Sequence, residues 1–189
     1  MHINLTAVAK ANAGFLERVK AASGQDVAQC YQCGKCTAGC PVGYAMDEPP
    51  TRIMRLLQLS LKDEVLNSNA IWLCSTCATC TTRCPKDIDI AGVMDSLRIM
   101  AKREGRIKAV RSIDLFNDVF LGSVRKYGRV HELGVGMGHN LRTYKPFKDA
   151  DIGTGLMLKG RMKLLPSKIK GQGEIARIFN EVRKLEEAE

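Results

Sequence analysis

Long apolar runs are missing from this chain. No stretch of about eighteen apolar residues occurs among its 189, which excludes a transmembrane helix. Sustained alternation of apolar and polar residues is also missing, so strands have almost no sequence support. The opening MHINLTAVAKANAGFLERVK lacks the charged-then-apolar layout of a secretory signal and ends on an amphipathic pattern. Aromatics number ten, and cysteine is absent outside two short runs. With 45% hydrophobic and 26% charged residues, collagen-like, mucin-like and disordered classes are excluded. What remains is an expected cytoplasmic globular chain, mostly α, with length for one domain and an appendage.

Eight cysteines in a reducing compartment point to metal or catalysis rather than disulfides. They stand at Cys30, Cys33, Cys36 and Cys40, then at Cys74, Cys77, Cys80 and Cys84. Each run reads Cys-x-x-Cys-x-x-Cys-x-x-x-Cys-Pro, and the second repeats the first 44 residues later. This repeat organises the chain.

Three regions follow. Residues 1–24 form an N-terminal helical segment, with Phe15, Leu16 and Val19 on one face of a helix over Val8–Val19. Residues 25–105 hold both cysteine runs, the first of which reads as a loop. Pro49 and Pro50 introduce a helix at Thr51, and LKDEVLNS carries a shorter one. Asp89 is placed to cap a helix presenting Ile90, Val93, Met94, Leu97, Met100 and Ala101, which Gly105 closes. Residues 106–189 form a basic extension, helical and irregular. A helix is expected from Ser112 or Asp114 through Val124, irregular chain over 128–155, and helices at 156–165 and 174–187.

Three thiolates spaced by two residues wrap one corner of a [4Fe–4S] cube, while the fourth cysteine lies where the chain is leaving that corner. In two-cluster ferredoxins of this spacing the fourth cysteine ligates the other cluster. The expected cofactors are therefore two [4Fe–4S] clusters. One is held by Cys30, Cys33, Cys36 and Cys84, the other by Cys74, Cys77, Cys80 and Cys40. Zinc uses paired Cys-x-x-Cys knuckles and gives no reason for the third cysteine or the Cys-Pro ending. With every iron bound by cysteine, the clusters are expected to relay electrons rather than act on substrate. Gly34 and Gly39 are expected to offer N–H groups to the sulfurs, and Lys35 and Arg83 either raise the potentials or are simply solvated.

The segments CYQCGKCTAGCP, EPPTRIMRLL and SNAIWLCSTCATCTTRCPKDIDIAGVMDSLR resemble the C-type subunit of heterodisulfide reductase. The broader likeness is to helical two-cluster ferredoxin domains, such as the C-terminal part of succinate dehydrogenase iron–sulfur subunits. The resemblance implies an electron-transfer subunit of an oxidoreductase complex, with no active site of its own. Its partners would be a flavin-containing A-type subunit as donor and a catalytic B-type subunit reducing the coenzyme M–coenzyme B heterodisulfide in methanogenesis. A hydrogenase or formate dehydrogenase module is a further candidate partner, and the resemblance leaves the donor open among hydrogen, formate and reduced ferredoxin. The alternatives are the iron–sulfur subunit of a succinate, fumarate or glycolate oxidoreductase, and a cluster-containing nucleic-acid-binding regulator.

Charge separates from cysteine along the chain. Residues 1–97 balance nine basic against nine acidic side chains, whereas 98–170 carry seventeen against six. The net +9 therefore resides in the cysteine-free half, and two loaded clusters lower it to about +5. Nucleic acid is not expected, because neither interleaved aromatics nor a reading helix accompanies the basic stretch. An acidic protein partner is the preferred reading. GVGMG at 134–138 lacks a preceding strand and reads as a flexible turn. His2, His131 and His139 are scattered, and Met54, Met94, Met100 and Met157 are placed as core packing. No Ser/His/Asp array, Walker motif or flavin fingerprint is present.

Overall fold

A computed structural model describes residues 10–107, 111–146, 148, 150–161 and 163–188. These divide between residues 110 and 111 into two compact units. Every described element is helical: no strand occurs among the described residues.

In the first unit the helices are α1 (Phe15–Ser23), α2 (Lys35–Ala38), α3 (Pro50–Gln58), α4 (Lys62–Asn67), α5 (Ala70–Leu73), α6 (Thr79–Thr82) and α7 (Ile90–Arg103). Two 3-10 turns, Val27–Gln29 and Gly43–Ala45, flank the first cysteine run. Pro49 caps α3 and Pro50 opens it, where a missing N–H costs nothing. Asp89 accepts from the Gly92 N–H at 3.0 Å and starts α7, which ends before Gly105 at φ +69°. That left-handed residue halts the helix as the sequence implied.

The core sits between α1, α3, α4, α5 and α7. Phe15 and Val19 are buried on α1, which packs on α7, where Val93, Met94 and Leu97 are buried as well. Ile53, Met54 and Leu57 of α3 and Val65 and Leu66 of α4 complete it. Each such fully buried side chain contributes about 1.5–3 kcal/mol before entropy is charged against it. Outside the core, Lys62–Glu104 (2.8 Å) and Arg106–Asp63 (2.7 Å) tie α4 to the end of α7.

The second unit holds α8 (Arg111–Tyr127), α9 (Glu132–Arg142), α10 (Ala150–Leu158) and α11 (Gln172–Ala188), with α8 packed against α9 and α11. Within it only Val135 and Asp114 are buried among the described side chains.

Three expectations fail in this unit. Residues 128–155 are not mostly irregular, because α9 and the first part of α10 lie there. The GVGMG segment is helix interior, not a turn: the His131 ring Nδ1 accepts from Gly134 N–H at 3.2 Å and caps α9, and this cap together with packing on α8 offsets the poor helix propensity of three glycines. The helix placed at 156–165 ends at Leu158 and begins earlier, and Met157 on it is 38% exposed rather than packed. Met54 and Met94 are buried. Val8 and His2 lie outside the described residues.

Candidate metal centre

The two cysteine runs repeat in three dimensions almost residue for residue. Gln32 and Thr76 both have positive φ (+63° and +53°), as do Gly34 (+80°) and Ala78 (+58°). These left-handed residues flank Cys33 and Cys77 and reverse the chain around them. The turns α2 and α6 follow at the same offset, contrary to the loop expected for the first run. Their main-chain bonds match: Ala38 N–H to Gly34 O and Thr82 N–H to Ala78 O, both 3.0 Å; Cys40 N–H to Thr37 O and Cys84 N–H to Thr81 O, both 3.1 Å. Thr76 is β-branched, so its left-handed conformation is held against a steric cost of about 1–2 kcal/mol.

One hydroxyl in each run secures the turn to the helix beyond it. Thr37 Oγ1 accepts from the Thr51 N–H (3.0 Å) at the start of α3. Thr81 Oγ1 lies 3.3 Å from the Ala91 N–H at the start of α7, and itself donates to Asp89 Oδ1 at 2.8 Å. Asp47 joins the end of the first run to the beginning of the second. Its carboxylate accepts from the Asn69 and Ala70 N–H groups (2.8 and 3.2 Å), while Asn69 Oδ1 accepts from the Asp47 N–H at 3.0 Å. Asp47 thus caps α5, for which Asn69 provides no side-chain cap.

The runs are interleaved. Turns α2 and α6 pack together. Cys40, from the first run, lines one recess with Cys74, Cys77 and Cys80 of the second. Met46, Pro50 and Met94 form the apolar wall of that recess. On the other side, burial pushes the Cys30 thiol up, and the nearby Cys36, Cys84 and Cys33 sulfurs raise it further. Cys80 is likewise pushed up by burial, whereas the Thr79 hydroxyl holds Cys77 down. Cys36 is buried, and its Sγ lies 3.1 Å from Thr51 Oγ1; Cys33 and Cys77 are the exposed members.

One expected donor is already engaged. The Gly39 N–H bonds to Lys35 O at 3.2 Å, closing α2. Arg83 and Lys35 are both exposed. The Gln32 amide, which sequence reasoning missed, donates to Cys30 Sγ at 3.4 Å. A polar side chain two residues after the first cysteine was the available signal.

The donor chemistry suits an iron–sulfur group. Eight soft thiols lie on interleaved runs, and four of them surround a space rather than a point. Among the described residues no three Cys, His, Asp or Glu side chains are disposed to hold a single ion. A tetrahedral zinc would draw four sulfurs to about 2.3 Å from one centre, whereas a cube keeps its thiolates apart.

Residues 29–89 match the family model of the 4Fe-4S dicluster domain. The chain is 43% identical over 91 residues to the iron–sulfur C-type subunit of the CoB–CoM heterodisulfide reductase of Methanopyrus kandleri, covering 48% of this chain and 47% of that one. It is 41% identical over 90 residues to the C-type subunit of the ferredoxin:CoB–CoM heterodisulfide reductase of Methanosarcina mazei, covering 48% and 55%. The C-type subunit of the H2:CoB–CoM heterodisulfide, ferredoxin reductase of Methanothermobacter thermautotrophicus is 38% identical over 91 residues, covering 48% and 49%. The chain spans about half the length of the relatives it matches. Its dicluster domain, with eight cysteines, holds two [4Fe–4S] clusters.

Proposed function

We propose that this chain is the iron–sulfur electron-transfer subunit of a heterodisulfide reductase complex in the cytoplasm. Electrons come from a flavin-containing A-type subunit and leave to a catalytic B-type subunit that reduces the coenzyme M–coenzyme B heterodisulfide. The domain limits follow this reading: an N-terminal segment over 1–24, a cluster domain over 25–105, and an extension over 106–189 that docks partners.

The observation that carries the proposal is the interleaving of the runs. The grouping of Cys40 with Cys74, Cys77 and Cys80 supports those four as ligands of one cluster. The influence of Cys84, Cys33 and Cys36 on Cys30 supports the other set. Each cluster, when bound, supplies a one-electron couple. The chain's own part is to keep the two sets apart and rigid, through the Thr37 and Thr81 tethers and the Asp47 lock. It leaves Cys33 and Cys77 at the surface, where partners can approach.

The second unit supports docking by its composition and exposure. Phe116, Leu121, Ile178, Val182 and Leu185 are 44–68% exposed, beside the strongly basic stretch. Exposed apolar side chains of this kind are a feature of protein interaction sites. Anaerobic affinity purification of the full chain from its host tests the reading. A- and B-type subunits should copurify, with about eight irons per copy of this chain. Copurification of nucleic acid or of a succinate-type flavoprotein in their place overturns it.

A further inference from the structure

In each repeat, one side chain from the helix beyond the run holds two main-chain carbonyls of the segment entering it. Gln58 of α3 donates through Nε2 to Val27 O (3.2 Å) and Cys30 O (2.7 Å). Arg98 of α7 donates through Nε to Ile71 O (2.9 Å) and through Nη2 to Cys74 O (2.8 Å). The carbonyls correspond, since Ile71 and Cys74 stand one 44-residue repeat after Val27 and Cys30. The holders do not: Arg98 lies one helical turn short of the position matching Gln58. The same task is met from two different sites, once by a neutral amide and once by a cation.

We propose that Arg98 is a positioning residue whose charge raises the potential of the cluster on the Cys74 run, so that two halves alike in backbone hold an electron unequally. This rests on the two-cluster reading and its ligand sets. Reduction adds negative charge, and a fixed cation favours the reduced form. The guanidinium bonds the carbonyl of Cys74 itself, four covalent bonds from its sulfur. Its side chain is 23% exposed, so water screens it only in part. Two carboxylates oppose it. Asp95 lies 3.3 Å from Nη1 but is 52% exposed on the solvent side, and Asp89 stands at Thr81. Both remain when Arg98 alone is changed, so the difference between variants isolates the guanidinium.

The test is an EPR-monitored redox titration of the anaerobically loaded full chain. Cys40→Ser identifies the signal of the Cys74-run cluster. In Arg98→Gln, the electron should shift away from that cluster by about three- to tenfold, tenfold being about 59 mV for a one-electron couple. The other cluster should not move. Arg98→Lys, which keeps charge and loses the fork, should hold the potential near the native value. Gln58→Arg, which places a cation on the matching carbonyls, should raise the other cluster and carries the test if Arg98→Gln fails to load. Unchanged potentials in Arg98→Gln or Gln58→Arg overturn the proposal, as does an equal fall in Arg98→Gln and Arg98→Lys. Failure of the two-cluster reading shows separately, as wild-type chain that takes up only one cluster.

Discussion

Arg83 lies folded over Gly39, the residue that precedes it by one repeat. A Cβ built on Gly39 would stand 2.8 Å from both Cδ and Nη1 of Arg83. Here equivalent positions of the two runs touch, next to Cys40 and Cys84. Gly39 has φ −99°, so its small size matters here and its conformational freedom does not.

The contact predicts a coupled pair. Gly39→Val should cost about 1–2 kcal/mol in thermal unfolding of the loaded chain, because the side chain must displace Arg83. Arg83→Ala, at an exposed position, should cost little and should recover most of the Gly39→Val loss. Strict additivity of the two changes would show that the contact is not felt.

Exchange of the fourth cysteines has a spectroscopic signature. Cys84→Ser should perturb or remove the cluster associated with Cys30, Cys33 and Cys36, and Cys40→Ser the one associated with Cys74, Cys77 and Cys80. EPR of the reduced variants reads which signal is lost. Loss of the Cys74-run signal in Cys84→Ser would mean that each run keeps its own fourth ligand.

Asp47 makes the second run's entry sensitive to acid. Burial opposes its ionisation, but donors from Ser68, Asn69, Glu48 and Ala70 outweigh that and hold the carboxyl below its usual value of 3.8. A carboxyl lowered by folding contributes stability above its unfolded value and loses it as pH falls through the folded one. Asp47→Ala should therefore cost about 1–2 kcal/mol at neutral pH. The gap to wild type should stay constant from pH 7 to 5 and close only below 3.8. A gap already shrinking between pH 7 and 5 would exclude this carboxylate as its source.

Gly136 sits in α9 with open space around it. Gly136→Ala should stabilise the second unit by about 0.5–1 kcal/mol, through lower entropy in the unfolded chain. Slower limited proteolysis of the full chain within α9 reads this directly, and unchanged or faster cleavage contradicts it.

Much of the first unit was legible because its signals are local. Pro49, Pro50, Asp89 and Gly105 mark helix ends through backbone geometry that those residues impose alone. The cysteine spacing announced the clusters for the same reason. The tethers were not legible: Gln58 and Arg98 reach carbonyls 24 to 31 residues away, and nothing in their neighbourhood on the chain distinguishes them. Residues 128–155 were misread because glycine weakens local helix preference, while the cap from His131 and packing of α9 on α8 depend on what surrounds the segment. The turns within the cysteine runs were hidden by left-handed Gln32, Thr76 and Ala78, residue types that seldom adopt that conformation.

The recess that gathers Cys40 with Cys74, Cys77 and Cys80 also bears on how the protein is made. Cys30, Cys33 and Cys36 leave the ribosome well before Cys84, and Cys40 must wait for the whole second run. Under the proposed exchange of fourth cysteines, neither site would be complete while its partner segment is still unsynthesised, and iron and sulfide would have no finished seat on a short nascent chain. Cluster loading would then be deferred until both runs have emerged and begun to fold together.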